Sequence, residues 1–438
     1  MITKKTRAEK RDCLENISFS SKLIKLINHF FPNLIEKLKA VSDKRHKGYV
    51  IYDNYIILLF RILMSIFYIK SMRSATEKLN NSIFIENFGK LCGIKLNEIP
   101  HFNTVNNYLK TIEPEEIQAI IQAMVRQLIR NKIFDSFRIF GKKWQIIIDG
   151  TQIFSSDKPL DEKSLKKNHR DENGNILSTT YSYYVLEAKI VFDDKIIVSI
   201  CSEFVENESD DVKKQDCELK AAYRLMEKIK AAFPKLPICI CADALYAAEP
   251  IFKKCEEYGW DFLIRFKKGS IPSVFEEYEE LKRYDGNEQK EKITLPDRKK
   301  VEVTYKYVND IDYKGHIVNI AEYTEKTGTE EKRFIFITST KIKKSNVREI
   351  CEKGRKRWKI ENEGFDIQKN HGYELEHNFS NDYNAQKNHY LLIQIAHMLS
   401  QLFENSEKVV KEYKMNLAEI HEKILMDFKI KVMDDEVY

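Results

Sequence analysis

Glycine is scarce: 14 residues in 438, about 3% where ~7% is usual. That excludes a loop-rich or collagen-like chain and points to long regular elements. The eight cysteines include no C-x-x-C pair and come with no histidine spacing suited to zinc. A zinc-finger framework is thereby excluded, and several cysteines read as small core residues of a reduced, cytosolic protein. No apolar run reaches the ~20 residues of a membrane span. The longest, "YIILLFRILMSIFYI" at 55–69, has 15 residues and is interrupted by Arg61, so it reads as a buried helix and no membrane partner is expected. Residues 1–12 are too charged for a signal peptide.

Charge is abundant and uneven. The chain carries a net +6, yet residues 1–50 alone hold twelve Lys or Arg against five Asp or Glu. A basic N-terminal arm on a near-neutral body fits a polyanionic partner. A solvated charged helix fits the same charge count.

Hydrophobic spacing predicts only helices before about residue 140, with Ile17, Leu23, Ile24, Ile27, Leu34, Ile35 and Leu38 on one face. Pro114 can open a helix over 114–132. The pattern then changes. Strands are predicted at 143–150, 181–192, 195–205, 238–242 and 260–266, with helices at 211–232 and 247–258. Three strands followed by alternating helices and strands imply a mixed α/β sheet flanked by helices. Residues 290–338 return to strands with polar alternation, and helices resume from 345. The expected organisation is a helical region (1–140), a mixed α/β part (141–268), a β-rich segment (269–343), further helices (344–402) and a helical tail (403–438).

"ICICADALYAAEP" (238–250) ends a buried strand on Asp243, and "KWQIIIDG" (143–150) ends another on Asp149. A carboxylate at the end of a buried strand is costly unless paired. Two of them on neighbouring strands call for a cation, and hard divalent ions suit such carboxylates. The alternative for each is a plain cap on the turn that follows. A third acid, Glu361, lies in "GRKRWKIENEGFDIQKNHGYELEH" (354–377), among Arg355, Lys356, Arg357, Lys359 and Lys369. Crowded bases around an acid suit phosphate binding, although ordinary helix ion pairs give the same pattern.

"IIIDGT" (146–151), "ADALY" (242–246) and "RWKIENEGF" (357–365) resemble the DDE transposases of bacterial insertion sequences, in the insertion-sequence-four-like group. That group's C-terminal signature is Tyr, two residues, Arg, three residues, Glu, six residues, Lys. Arg357 and Glu361 match it. The tyrosine position holds Gly354, and the lysine position falls on Gln368, one step before Lys369. The resemblance covers about 141–402. It implies an RNase H-like core interrupted by a β-rich insertion. It also implies a catalytic and metal-binding triad of Asp149, Asp243 and Glu361 holding two Mg²⁺ or Mn²⁺ ions, with Arg357, Lys369, Arg355 and Lys356 on DNA.

The function so implied is cut-and-paste transposition. The enzyme would cleave and transfer strands at the terminal inverted repeats of its element, with double-stranded DNA as partner, a homodimer on the DNA, and a cytoplasmic, nucleoid-associated location. An RNase H-like nuclease or resolvase, or a domesticated DNA-binding protein, would use the same features differently. Among lesser features, 164–174 reads as a polar basic loop, Trp358 as a core residue beside Ile360, and His371 and His377 as ordinary histidines. Glu203 and Glu206 stay outside the metal site, and Thr151 is expected to help orient Asp149.

Overall fold

The computed structural model describes residues 17–207, 215–284, 287–294, 300–328 and 330–433. The first sixteen residues of the basic arm and the start of the helix expected at 211 lie outside the described residues. Two compact units form: Met1–Ile133, Gln152–Tyr183 and Glu363–Tyr438 in one, Phe134–Thr151 and Tyr184–Asn362 in the other.

The first unit is mainly helical, as the 3.6-residue spacing predicts. Its N-terminal helices are Phe19–Phe30, Leu34–Lys39, Asn54–Ile66, Met72–Leu79, Ser82–Cys92, Phe102–Leu109 and Pro114–Arg130. Local chemistry sets the starts. Ser18, Ser71 and Asn81 each accept a backbone N–H of the first turn, and Pro114 occupies the opening position where no N–H is missed. All thirteen residues of Asn54–Ile66 are buried, Arg61 included. This helix packs on Tyr383–Ser406, which is buried along most of its 24 residues. Among the described residues, no helix is long and apolar enough to cross a membrane.

Among the described residues ten strands follow in chain order: β1 Trp144–Ser156, β2 Leu165–Arg170, β3 Ile176–Val191, β4 Ile197–Val205, β5 Ile238–Ala242, β6 Asp261–Phe266, β7 Glu288–Thr294, β8 Lys300–Tyr313, β9 His316–Thr327 and β10 Glu330–Thr338. The expected loop at 164–174 is instead β2 and a turn. β2 pairs antiparallel with the first half of β3, Leu165 opposite Ser182 and Lys167 opposite Thr180. Its residues are nearly all exposed, so no apolar alternation marked it as a strand. Backbone pairing holds it, and Gly174 at φ 86 permits the turn.

The second unit is built on a mixed sheet with helices packed on it, the RNase H-like arrangement expected. β1, β5 and β6 are adjacent and parallel. β10 pairs antiparallel with β6, and β9, β8 and β7 follow in turn. The strand-rich segment therefore continues the core sheet through the β6–β10 edge. The second half of β3 pairs with β4 across Asp193–Asp194. Helices Glu218–Ala232, Glu249–Tyr258, Pro272–Leu281 and Val347–Arg355 belong to this unit. The last packs closely on β10, because a Cβ at Gly354 would come within 2.6 Å of the Phe336 ring.

Candidate active site

β1 and β5 place the first two acids. Trp144 pairs with Ile238 and Ile147 with Cys241. Asp149 and Asp243 each follow the last of these pairs by two residues, and the Asp243 charge acts on Asp149. Residues 146–148 and 238–242 are buried on both faces, as expected for inner parallel strands. The carboxylates emerge where that burial ends. Asp243 Oδ1 accepts the Leu245 N–H at 2.8 Å, capping the short turn Ala244–Tyr246.

The third acid comes from the chain after Val347–Arg355. Gln145 on β1 donates to the Lys353 carbonyl at 2.9 Å and anchors that helix over the strand. Arg357 then reaches back. Its Nη1 lies 2.8 Å from Asp149 Oδ2 and 3.1 Å from Glu361 Oε1. One guanidinium thus ties the first and third acids together.

Charge explains the geometry. Burial pushes the Asp149 carboxyl from 3.8 up to about 7; Glu361 and Asp243 push the same way, while Arg357 and the Gly150 N–H oppose them. Asp149 therefore feels both other acids. Among the described residues, no group of three or more His, Cys, Asp or Glu side chains is arranged to hold a metal ion. The donor chemistry nevertheless suits a hard divalent cation: two carboxylates act on a third, Asp149, and an arginine beside it supplies positive charge. Arg357 occupies one oxygen of Asp149 and one of Glu361.

Three tyrosine and glutamate side chains beside the acids escaped the sequence reading. Tyr184 donates to Glu218 Oε1 at 2.6 Å and Tyr246 to Glu218 Oε2 at 3.0 Å. Asp149 and Asp243 both act on the two phenols. The Tyr184 ring lies across Gly150, where a Cβ would meet its hydroxyl at 2.5 Å. Gly150 is thus the residue that lets this ring approach the Asp149 strand. Tyr246 within "ADALY" was the available signal; Glu218, remote in sequence, had none.

The remaining candidates are placed as follows. Arg355 stacks over Tyr323 at 4.6 Å and lies 3.4 Å from Glu325. Lys356 pairs with Asp194. Trp358, expected in the core, is 48% exposed. A 3₁₀ turn over Lys356–Trp358 followed by a π-helix over Ile360–Asp366 breaks the α-helical phase on which that expectation rested. Gln368 is fully buried and donates to Gln394 Oε1 at 2.8 Å. Lys369 pairs with Glu376 at 2.7 Å. Glu203 is buried with Arg224 and Lys228, an ion-pair cluster that accounts for it without a metal. Thr151 is buried on β1, two residues after Asp149. His371 lies 3.3 Å from Asp366.

Residues 207–399 match the model of the transposase DDE domain. The match takes in Asp243, Arg357 and Glu361, while Asp149 precedes it. No curated protein matches the chain. Residues 207–399 thus match a transposase DDE domain, a kind of domain that cleaves DNA and transfers its strands.

Proposed function

We propose that this DDE transposase moves its element by a cut-and-paste route, recognising terminal inverted repeats, excising the DNA between them and joining it to a target duplex. It would work as a homodimer on DNA, at the bacterial nucleoid in the cytoplasm. The observation that carries the reading is that Arg357 links Asp149 to Glu361 while the Asp243 charge also acts on Asp149. Two acids held by one arginine, with a third acting on the first, fit a catalytic triad better than three unrelated caps.

Asp149, Asp243 and Glu361 would hold two Mg²⁺ or Mn²⁺ ions, which supply the positive charge that in-line displacement at phosphorus requires. Arg357 would exchange its two carboxylates for a DNA phosphate, to which a guanidinium is well matched. Glu218 would hold the Tyr184 and Tyr246 rings, and through them the Asp149–Gly150 strand end. Arg355 and Lys356 would contact DNA from the same segment, and exposed Trp358 offers a face on which an unpaired base can stack.

Lys369 would be the lysine of the signature. A π-helix closes i to i+5 and takes about one residue more per turn than an α-helix. The π-helix after Ile360 thus delays the lysine phase by about one residue, from 368 to 369. The burial of Gln368 supports that assignment.

The test is cleavage of DNA that carries the sequences flanking the gene. Mg²⁺-dependent cuts at both ends, lost in Asp149→Ala, Asp243→Ala and Glu361→Ala proteins that still bind the DNA, are expected. Cleavage without strand joining would favour a nuclease or resolvase. Full cleavage by Glu361→Ala would sink the triad.

A further inference from the structure

The helical unit holds a cavity of about 320 Å³ whose charge is unbalanced. Arg61, the residue that interrupts the most apolar helix of the chain, forms part of its wall and is only 5% exposed. Its guanidinium is bonded to Ser65 Oγ at 3.0 Å and to His389 Nδ1 at 2.6 Å, and lies over the Phe379 ring at 5.4 Å. These neutral partners engage its Nε, Nη1 and Nη2, and among the described residues no acid balances its charge. Burial lowers its pKa to about 9, so it remains a cation at neutral pH. His389 does not compensate it: burial, together with Arg61 and His377, drives that imidazole well below its usual range and keeps it neutral.

Further positive groups line the same space. Lys70 and Arg73 flank Ser71, the N-cap of the helix Met72–Leu79, so the positive end of that helix also borders the cavity. Glu374 is the only acid among the lining residues, and Lys70 already pairs with it at 2.8 Å. Arg61 and Arg73 are left in excess. The wall bearing Glu374 is built in advance, since Gly372 sits at φ 102 with the Tyr68 ring against the position a Cβ would take. A buried cation without an acid is expensive. An anion rich in acceptor oxygens resolves the cost, and an arginine fork beside a helix N-terminus is the usual recognition of phosphate.

We propose that this cavity is a phosphate-binding site, and that the phosphate it takes belongs to a DNA backbone. The phosphate chemistry stands on the cavity alone; the DNA source rests on the transposase reading. The site lies on a different unit from the three acids and uses none of them.

Thermal melts of the full chain at fixed ionic strength, with inorganic phosphate replacing chloride, test the site. Phosphate should raise the melting temperature in a saturable way. Lys70→Ala/Arg73→Ala should weaken the response several-fold. Glu374→Gln, which removes the only lining acid, should strengthen it several-fold, a gain that no folding defect can imitate. Absence of a phosphate-specific rise in both the parent and Glu374→Gln would overturn the proposal. Binding to a mixed-sequence duplex across a salt series tests the source. Loss of a phosphate contact should reduce the log–log salt slope by about 0.9. A phosphate response with an unchanged DNA slope in the double variant would keep the site, overturn the DNA source and assign the cavity to a free phosphate compound. A DNA that binds with the expected slope yet is never cut would sink the transposase reading and leave the phosphate site standing.

Discussion

Arg357 Nη1 lies 2.8 Å from Asp149 Oδ2, with both side chains about one-fifth exposed. The guanidinium supplies the positive charge that a divalent ion would otherwise supply. Arg357→Ala should therefore destabilise the metal-free protein by about 1–3 kcal/mol, the usual cost of leaving a buried charged group unpaired. Mg²⁺ should recover more of the loss in the variant than it adds to the parent. Melts of both proteins with and without Mg²⁺ measure this, and equal Mg²⁺ effects would show that Arg357 and the ion do not compete.

Asp149 gives the metal-free protein a pH signature. Its folded pKa, pushed by burial to about 7, exceeds the ordinary 3.8. Between those values the folded state holds a proton that the unfolded state has lost. Its contribution to stability is complete below pH ~4 and is lost as pH rises through about 7, on the order of 1–4 kcal/mol in all. Urea unfolding in chelator at pH 5 and pH 8 should show the decline, and Asp149→Asn should flatten it. An equally steep decline in that variant would assign the effect to other groups.

Gly354 stands where the family signature has tyrosine. A Cβ there would reach within 2.6 Å of Phe336. Gly354→Tyr should cost about 1–3 kcal/mol or more through overpacking. Phe336→Ala in the same chain should return part of the loss, as a double-mutant cycle in urea would show. Strict additivity would mean the two positions do not meet.

Much of this molecule is legible in its sequence, and the remainder is hidden for identifiable reasons. The strand stretches that lead into Asp149 and Asp243 announce themselves because inner parallel strands are apolar on both faces, although β1 runs on past Asp149 to Ser156. Which strands pair, and so bring the two acids near each other, is a property no local pattern contains. β2 stays hidden because a strand exposed on both faces has no period to read. Glu218 stays hidden because only the fold brings it to Tyr184 and Tyr246. The exposure of Trp358 and the offset of Lys369 share one origin: both lie in a segment that leaves the α-helical phase, as a 3₁₀ turn and then a π-helix.

That offset makes the last prediction. If the π-helix carries the signature lysine one residue onward, Lys369 and Gln368 must fail in different ways when replaced. Gln368 is fully buried and bonded to Gln394, so Gln368→Ala should lower stability by about 1–3 kcal/mol through a cavity and an unmet amide. Its salt dependence of DNA binding should not change. Lys369 is partly exposed and held by the Glu376 ion pair, a contact of the kind that contributes ~1 kcal/mol or less. Lys369→Ala should leave the unfolding midpoint nearly unchanged and reduce the DNA salt slope by about 0.9, the signature of one lost phosphate contact. Urea titrations and binding isotherms over a salt series separate the two outcomes. A slope lost at Gln368 and kept at Lys369 would restore the ordinary spacing and leave the π-helix without this role.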